Sequence, residues 1–357
     1  MAGKAAVQPV TPAADRAIRD WPDFGPNPGK LRMLTYKPPS ACRGAGLVVV
    51  LHGCTQGAAS FAEGAGWLAL ADQNGFGVLL PEQLRSNNQN LCFNWFLPQH
   101  TRRGAGEAAS LHAMTNHFVE AESFDPSKVF VTGLSAGGAM AATMLATYPE
   151  TFAAGAIVAG LPYGSAGNVQ EAFHAMFQVR RHDAPVWGEK VRAASEHKGP
   201  YPRIAIWHGT ADQTVLPGNA EELTRQWLDV HGLPQAPSET AADGDSVHRI
   251  WRDAAGVPRV EQIMIEGMAH GVPVDAARAD GAGGAEGPFL LDVGVPSSLR
   301  IAQSFGLAPA EPVTAKAPRP APAVALNGSA PKAAAVAKTG PDAIIRAALR
   351  KAGLLTG

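Results

Sequence analysis

Ser135 has the neighbours that a nucleophilic hydroxyl needs. It lies in Gly133-Leu134-Ser135-Ala136-Gly137, after the apolar run Val129-Phe130-Val131-Thr132 and before an alanine-rich stretch over residues 138–148. A strand, a G-x-S-x-G turn and a helix, in that order, present a serine hydroxyl above a sheet at the start of a helix. Small residues two places either side let the backbone fold back tightly. The pentapeptide alone is weak evidence, because Gly, Ser and Ala are abundant here, and a serine in a small-residue turn is the plainer reading. Acyl chemistry at Ser135 also needs a base, an acid and a pair of oxyanion donors.

The base must be a histidine with a free ring nitrogen. On a sheet carrying such an elbow, the acid follows the serine in sequence and the histidine comes last. His174, His182, His197, His208, His231, His248 and His270 all follow Ser135. His270 hangs in Ile265-Glu266-Gly267-Met268-Ala269-His270-Gly271, just past the last predicted strand. His248 precedes a charged run and reads as a surface residue. Asp212 closes Ile204-Ala205-Ile206-Trp207-His208-Gly209-Thr210-Ala211-Asp212, a strand followed by a glycine turn. Asp243 and Asp245 sit in a Gly/Asp-rich turn and read as turn formers. One oxyanion donor is expected from the amide of Ala136, at a helix start that favours negative charge. The other is expected from the Cys54 amide in Leu51-His52-Gly53-Cys54-Thr55-Gln56, with His52 shaping the loop.

The elements that must hold these residues follow from periodicity. Strands are predicted at 33–36, 46–51, 76–80, 129–132, 152–159, 203–207 and 260–265. Helices are predicted over 61–74, 106–120 (Ala108, Leu111, Met114, His117 and Phe118 recur at helical spacing) and from Ala136. Continuous apolar strands alternating with helices indicate an α/β fold with a mostly parallel sheet covered on both faces. Residues 161–202 are too many for an ordinary connection. With Tyr163, Phe173, Met176, Phe177 and Trp187 they form either a helical cap over a cleft or a core-packing helix pair. Residues 1–30 read as an irregular arm, 31–307 as the catalytic body and 308–340 as a disordered Ala/Pro/Lys linker. Residues 341–357 read as a short amphipathic helix, with Pro341 at its start, Gly353 as its cap and Ile345, Ala348, Leu349 and Ala352 on its apolar face. That face would dock on the body, on a second subunit or on a polymer surface, so a homodimer is left open.

Bulk properties narrow the function. The 357 residues are 46% hydrophobic, which is enough for a substantial core, and the net charge is -1. Such a balance suggests neither nucleic acid nor an anionic membrane as partner. No apolar run approaches a membrane span. Cys42, Cys54 and Cys92 match no zinc or redox spacing, and no metal or organic cofactor is expected. An odd, small number of cysteines fits a reducing compartment, and the first 25 residues lack the apolar core of a secretory signal. The expected location is cytoplasmic, with secretion or the periplasm as the alternative.

The chain resembles the poly(3-hydroxybutyrate) depolymerase family of esterases, related to feruloyl and acetylxylan esterases. The likeness is carried by Leu51-His52-Gly53-Cys54-Thr55-Gln56, Cys92-Phe93-Asn94-Trp95-Phe96, Gly133 to Gly138, Trp207 to Asp212 and Gly267 to Asp275, over roughly residues 32–307. It implies an α/β-hydrolase fold, a Ser135–Asp212–His270 triad and hydrolysis of hydroxyalkanoate polyester or a simpler ester. Feruloyl or acetyl ester hydrolysis, and cleavage of a poly(amino acid) or peptide amide, are the alternatives. His52, Trp95, Phe96 and Trp207 are the candidate substrate contacts, although Trp95 and Phe96 could simply pack. Secreted members usually carry a leader and a separate polymer-binding domain. Neither is read here, so oligomers, amorphous polymer or small esters are the expected substrates. The resemblance also brings Cys92 near Cys54, either as a disulfide bracing the oxyanion loop or as two buried thiols.

Overall fold

A computed structural model describes residues 16–310. The remainder of the expected linker and the expected helix at 341–357 lie outside the described residues. The strands are β1 (Arg19–Asp20), β2 (Arg32–Tyr36), β3 (Leu47–Leu51), β4 (Gly77–Glu82), β5 (Val129–Leu134), β6 (Ala154–Val158), β7 (Arg203–Gly209), β8 (Glu239–Asp243), β9 (Ser246–Arg252), β10 (Pro258–Ile265), β11 (Val272–Val274) and β12 (Leu290–Asp292). The helices are α1 (Ala58–Gly64), α2 (Trp67–Asn74), α3 (Pro98–Thr101), α4 (Gly106–Glu122), α5 (Ala136–Thr147), α6 (Val169–Gln178), α7 (Ala184–Arg192), α8 (Gly218–His231) and α9 (Ser297–Ser304).

Ten strands form one sheet in the order β1-β2-β4-β3-β5-β6-β7-β10-β9-β8. The six from β4 to β10 run parallel, and antiparallel strands extend both ends. Strand alternation splits the core in two. Leu47, Val49 and Leu51 pack with Leu111 of α4, Met140 of α5 and Trp227 of α8. Val48 and Val50 face the opposite way, with Leu68 of α2 and Ile301 of α9. Both faces of β3 are therefore buried, which is why its sequence is uniformly apolar. This is the α/β-hydrolase arrangement.

Three departures from the sequence reading have local causes. The helix expected at 61–74 is two helices, because Gly66 takes a left-handed φ of 84° and lies against the backbone of Ala282 and Gly284. The β8–β9 hairpin has no counterpart among the strands predicted from the sequence. Gly244-Asp245 closes it, with Gly244 at φ 56°, but β8 is largely exposed and short of apolar residues. The described part of the arm contributes the edge strand β1, held by the Trp21 indole N–H donating to Thr35 Oγ1 at 2.9 Å.

Segment 161–202 divides between its two readings. Trp187 of α7 is fully buried and donates to Glu222 Oε2 of α8 at 2.7 Å, so α7 belongs to the core. Phe173 and Met176 of α6 instead line the cleft beside Ser135, as a cap would.

Candidate active site

β3, β5, β7 and β10 are parallel members of one sheet, so the segments that follow them leave from the same edge. Those segments carry Cys54, Ser135, Asp212 and His270. Ser135 caps the N-terminus of α5 with φ 58° and ψ -116°, a conformation that strains a residue with a Cβ by about 1–3 kcal/mol. Its amide donates to Val158 O at 2.9 Å. A Cβ on Gly133 would run into the Gly137 and Leu51 carbonyls, and one on Gly137 into those of Leu51 and His52. Only glycine fits at either position, and the elbow is locked against β3.

Asp212 is 1% exposed and uses both carboxylate oxygens. Oδ1 accepts the amides of Thr214 and Val215 at 2.8 and 2.9 Å. Oδ2 accepts His270 Nδ1–H at 2.7 Å and lies 3.3 Å from His208 Nε2. Burial pushes the Asp212 pKa up, but hydrogen bonds from His208 and His270 outweigh it and hold the carboxyl below its ordinary range. With Nδ1 committed, His270 Nε2 is buried and has no hydrogen-bond partner among the described residues. That is the state a general base needs. The two loops are tied together: Gly267 N–H donates to Thr210 Oγ1 at 2.8 Å, and Ala211 N–H to Met268 O at 3.0 Å.

In the sequence His208 is only one of the seven histidines that follow Ser135. It is fully buried four residues before Asp212, and its Nε2–H also reaches Val215 O at 2.8 Å. It approaches the same Asp212 oxygen as His270, Oδ2, and so helps to hold the acid. The spacing His208–Asp212 was visible in sequence, but a strand followed by a turn gives no period that would pair them.

On the oxyanion side, Ala136 is the first residue of α5, so its amide is among the helix donors without an intrahelical acceptor. Cys54 sits between two engaged amides. Gly53 N–H donates to Gln56 Oε1 at 2.9 Å, and Thr55 N–H to Asn90 O at 2.7 Å. Cys54 and Cys92 are joined in a disulfide, and Cys42 is free and exposed. The pairing left open from the sequence is thus resolved as a bridge, which ties the Cys54 loop to the segment carrying Trp95.

A cavity of about 210 Å³ contains Ser135 and Ala136. Its walls are mainly apolar: Trp95, Phe96, Leu161, Phe173, Met176 and Val215. Two of the four candidate contacts, Trp95 and Phe96, are therefore in place. The other two are not. His52 is fully buried, with Nδ1–H donating to Gly53 O at 2.7 Å and Nε2 accepting Gln83 N–H at 3.1 Å, so it has nothing left for a substrate. Trp207 lies on β7 facing a different cavity, because its position in the strand points it to the opposite face of the sheet. Among the described residues no group of three or more His, Cys, Asp or Glu is arranged to hold a metal, and no helix is long and apolar enough to cross a membrane.

The fold is that of an α/β-hydrolase-type esterase. The solved acetyl xylan esterase from Aspergillus awamori superposes with a TM-score of 0.70 at 26% identity, covering 82% of this chain and all of that one. The chain belongs to the esterase PHB depolymerase family, whose model matches residues 31–249. It is 42% identical over 299 residues to poly(3-hydroxyalkanoate) depolymerase C of Paucimonas lemoignei, covering 84% of this chain and 72% of the relative. It is 34% identical to an acetylxylan esterase of Coprinopsis cinerea, covering 70% and 68% respectively. The protein is accordingly a carboxylic-ester hydrolase. The matched range includes Ser135 and Asp212. His270 lies past its end and is placed by its bond to Asp212.

Proposed function

We propose that the protein hydrolyses short hydroxyalkanoate esters and oligomers through a Ser135–His270–Asp212 triad and an acyl-enzyme. The observation that carries this is the 2.7 Å His270 Nδ1–Asp212 hydrogen bond, which leaves Nε2 free at the sheet edge bearing the strained Ser135. His270 Nε2 removes the Ser135 proton as Oγ attacks the ester carbonyl. The amides of Cys54 and Ala136 hold the oxyanion. The C–O bond breaks, and the alcohol leaves with the proton from His270. Water then attacks the acyl-enzyme, giving its proton to His270, which returns it to Ser135 as the acid departs. Asp212 stays ionised throughout and stabilises the imidazolium.

Cavity size supports a short acyl group. About 210 Å³ is below the roughly 300–1,000 Å³ of pockets for drug-sized ligands. The disulfide supports an oxidising compartment, so the secreted or periplasmic alternative is preferred over the cytoplasm. A second reading, deacetylation of a polysaccharide, is favoured by the full coverage of the A. awamori enzyme. The deciding experiment is a hydrolysis panel of p-nitrophenyl butyrate, hydroxybutyrate trimer, amorphous polyhydroxybutyrate and acetylated xylan. Ser135→Ala serves as control. Turnover of the trimer that is lost in Ser135→Ala is expected. Full activity in that variant would sink the triad, and activity on acetylated xylan alone would select the second reading.

A further inference from the structure

Glu107, in the first turn of α4, is completely buried. A carboxylate seldom sits in a protein interior unless it is hydrogen-bonded, and this one accepts three bonds. Oε1 accepts Gln83 Nε2–H at 2.7 Å and Asn94 Nδ2–H at 2.6 Å, and Oε2 accepts the Asn94 backbone N–H at 2.7 Å. Each of these bonds leads to the cleft. Asn94 precedes Trp95 and Phe96, which form one wall. Through its Oδ1, Asn94 also accepts from Asn88 Nδ2 at 3.0 Å. Asn88 Oδ1 in turn takes the Asn90 amide, and the Asn90 carbonyl takes the Thr55 amide beside Cys54. Gln83 donates a second hydrogen to Cys92 O at 3.0 Å, and its backbone N–H fixes His52, whose ring holds Gly53 O. The wall and the oxyanion loop thus hang from one buried carboxylate.

We infer that Glu107 is a positioning residue that sets acyl selectivity, by holding the Trp95–Phe96 wall against the Cys54 loop. The inference rests on the ester-hydrolase reading of Ser135. All three contacts are donors, which suits the ionised carboxylate, an acceptor only, better than the protonated acid with its own hydrogen to place. Burial pushes the Glu107 pKa up to about 7, with the bonds from Asn94 and Gln83 acting in the opposite sense. The titratable group facing it is His100 of α3, whose Nδ1 is 3.7 Å from Oε1 and whose own pKa is lowered by burial. Gln83 and Asn94 are neutral. His52, reached through Gln83, is also kept neutral by burial. The wall is therefore best held above neutral pH and loosens as the pH falls through about 7.

The test compares kcat/KM for p-nitrophenyl butyrate with that for p-nitrophenyl acetate between pH 5.5 and 9. Both esters use the same base, so its titration cancels in the ratio. In the native enzyme the butyrate-to-acetate ratio should fall as the pH drops below 7. In Glu107→Gln an amide hydrogen must oppose one of the three donors. The ratio should then be low and flat, down by roughly fivefold or more at pH 8 through a raised KM for butyrate, while thermal unfolding stays cooperative. A pH-independent native ratio overturns the inference, as does a folded Glu107→Gln that keeps the native ratio or loses activity equally on both esters. Should Glu107→Gln not fold, Asn94→Ala, which removes the side-chain link alone, is read by the same ratio and the same criterion. Ser135→Ala, run alongside, separates the two claims. If it stays active the triad reading is wrong, whereas an inactive Ser135→Ala beside an unchanged ratio rejects Glu107 only.

Discussion

Two of the cavities among the described residues differ sharply, and the larger of the pair is the less equipped for chemistry. Between the β8–β9 hairpin and α9 lies a space of about 570 Å³, against about 210 Å³ beside Ser135. The large cavity is rich in charge, but much of that charge is paired internally. Arg300 Nη2 meets Asp243 Oδ2 at 2.6 Å, and His248 Nε2 meets Glu261 Oε2 at 2.8 Å. The small one has apolar walls, a serine on strained backbone and, at the same sheet edge, an imidazole nitrogen with no partner among the described residues. Strain and unspent hydrogen-bonding capacity mark a reactive site better than volume does.

The contrast breaks first at the triad. His270→Ala should lower kcat for p-nitrophenyl butyrate by roughly 10⁵–10⁶-fold, with the fold retained by circular dichroism. Asp212→Asn should cost about 10⁴-fold. Oδ1 receives two amides and Oδ2 faces two imidazole N–H groups, so an amide NH₂ opposes donors in either orientation. The stability sign follows from the lowered pKa. The ionised carboxylate stabilises the fold fully above its unfolded pKa of about 3.9, and that contribution is lost as the pH falls below it. Urea midpoints between pH 2.5 and 7 should show this acid-side loss in the native protein, and a smaller one in Asp212→Asn. Equal slopes would remove Asp212 from that role.

The disulfide sharpens the comparison by showing what the small cavity needs in order to keep its shape. Residues 54 and 92 are 38 apart in sequence, and closing such a loop restricts the unfolded chain by about 4 kcal/mol. Cys54→Ser/Cys92→Ser should lose a comparable amount in urea unfolding. Its kcat should fall roughly tenfold as the Cys54 amide loses its bracing. Unchanged kcat with the stability loss intact would show that the bridge serves folding alone.

How much of this was legible in the sequence depends on the kind of signal. Strand ends were legible because buried parallel strands are continuously apolar and stop at glycine. That signal puts Ser135, Asp212 and the loop of His270 at strand ends from the sequence alone. Pairings across the fold were not. His208 beside Asp212, and Glu107 beneath Asn94 and Gln83, are contacts between polar residues whose spacing has no period. A glutamate in the first turn of a helix reads as an ordinary dipole partner. His52 and Trp207 were misplaced as substrate contacts for a related reason. Position in a motif fixes the strand end, but strand parity and local hydrogen bonds decide which way the ring points.

The smallest expected effect comes from the large cavity. Arg300 and Asp243 have side chains about a third exposed (35% and 27%), and pairs this open to water contribute at most about 1 kcal/mol. Arg300→Ala should therefore shift the melting temperature by no more than roughly 2–4 °C. It should also leave kcat and KM for p-nitrophenyl butyrate within about twofold of native, because no residue lining that cavity belongs to the Ser135 cleft. The two spaces do share one strand. Trp207 and Ala205 of β7 face the large cavity, and the same strand leads into the Asp212 loop. A tenfold loss of kcat in Arg300→Ala, without unfolding, would mean that the hairpin side feeds through β7 into the acid, and the two cavities would have to be treated as one functional unit.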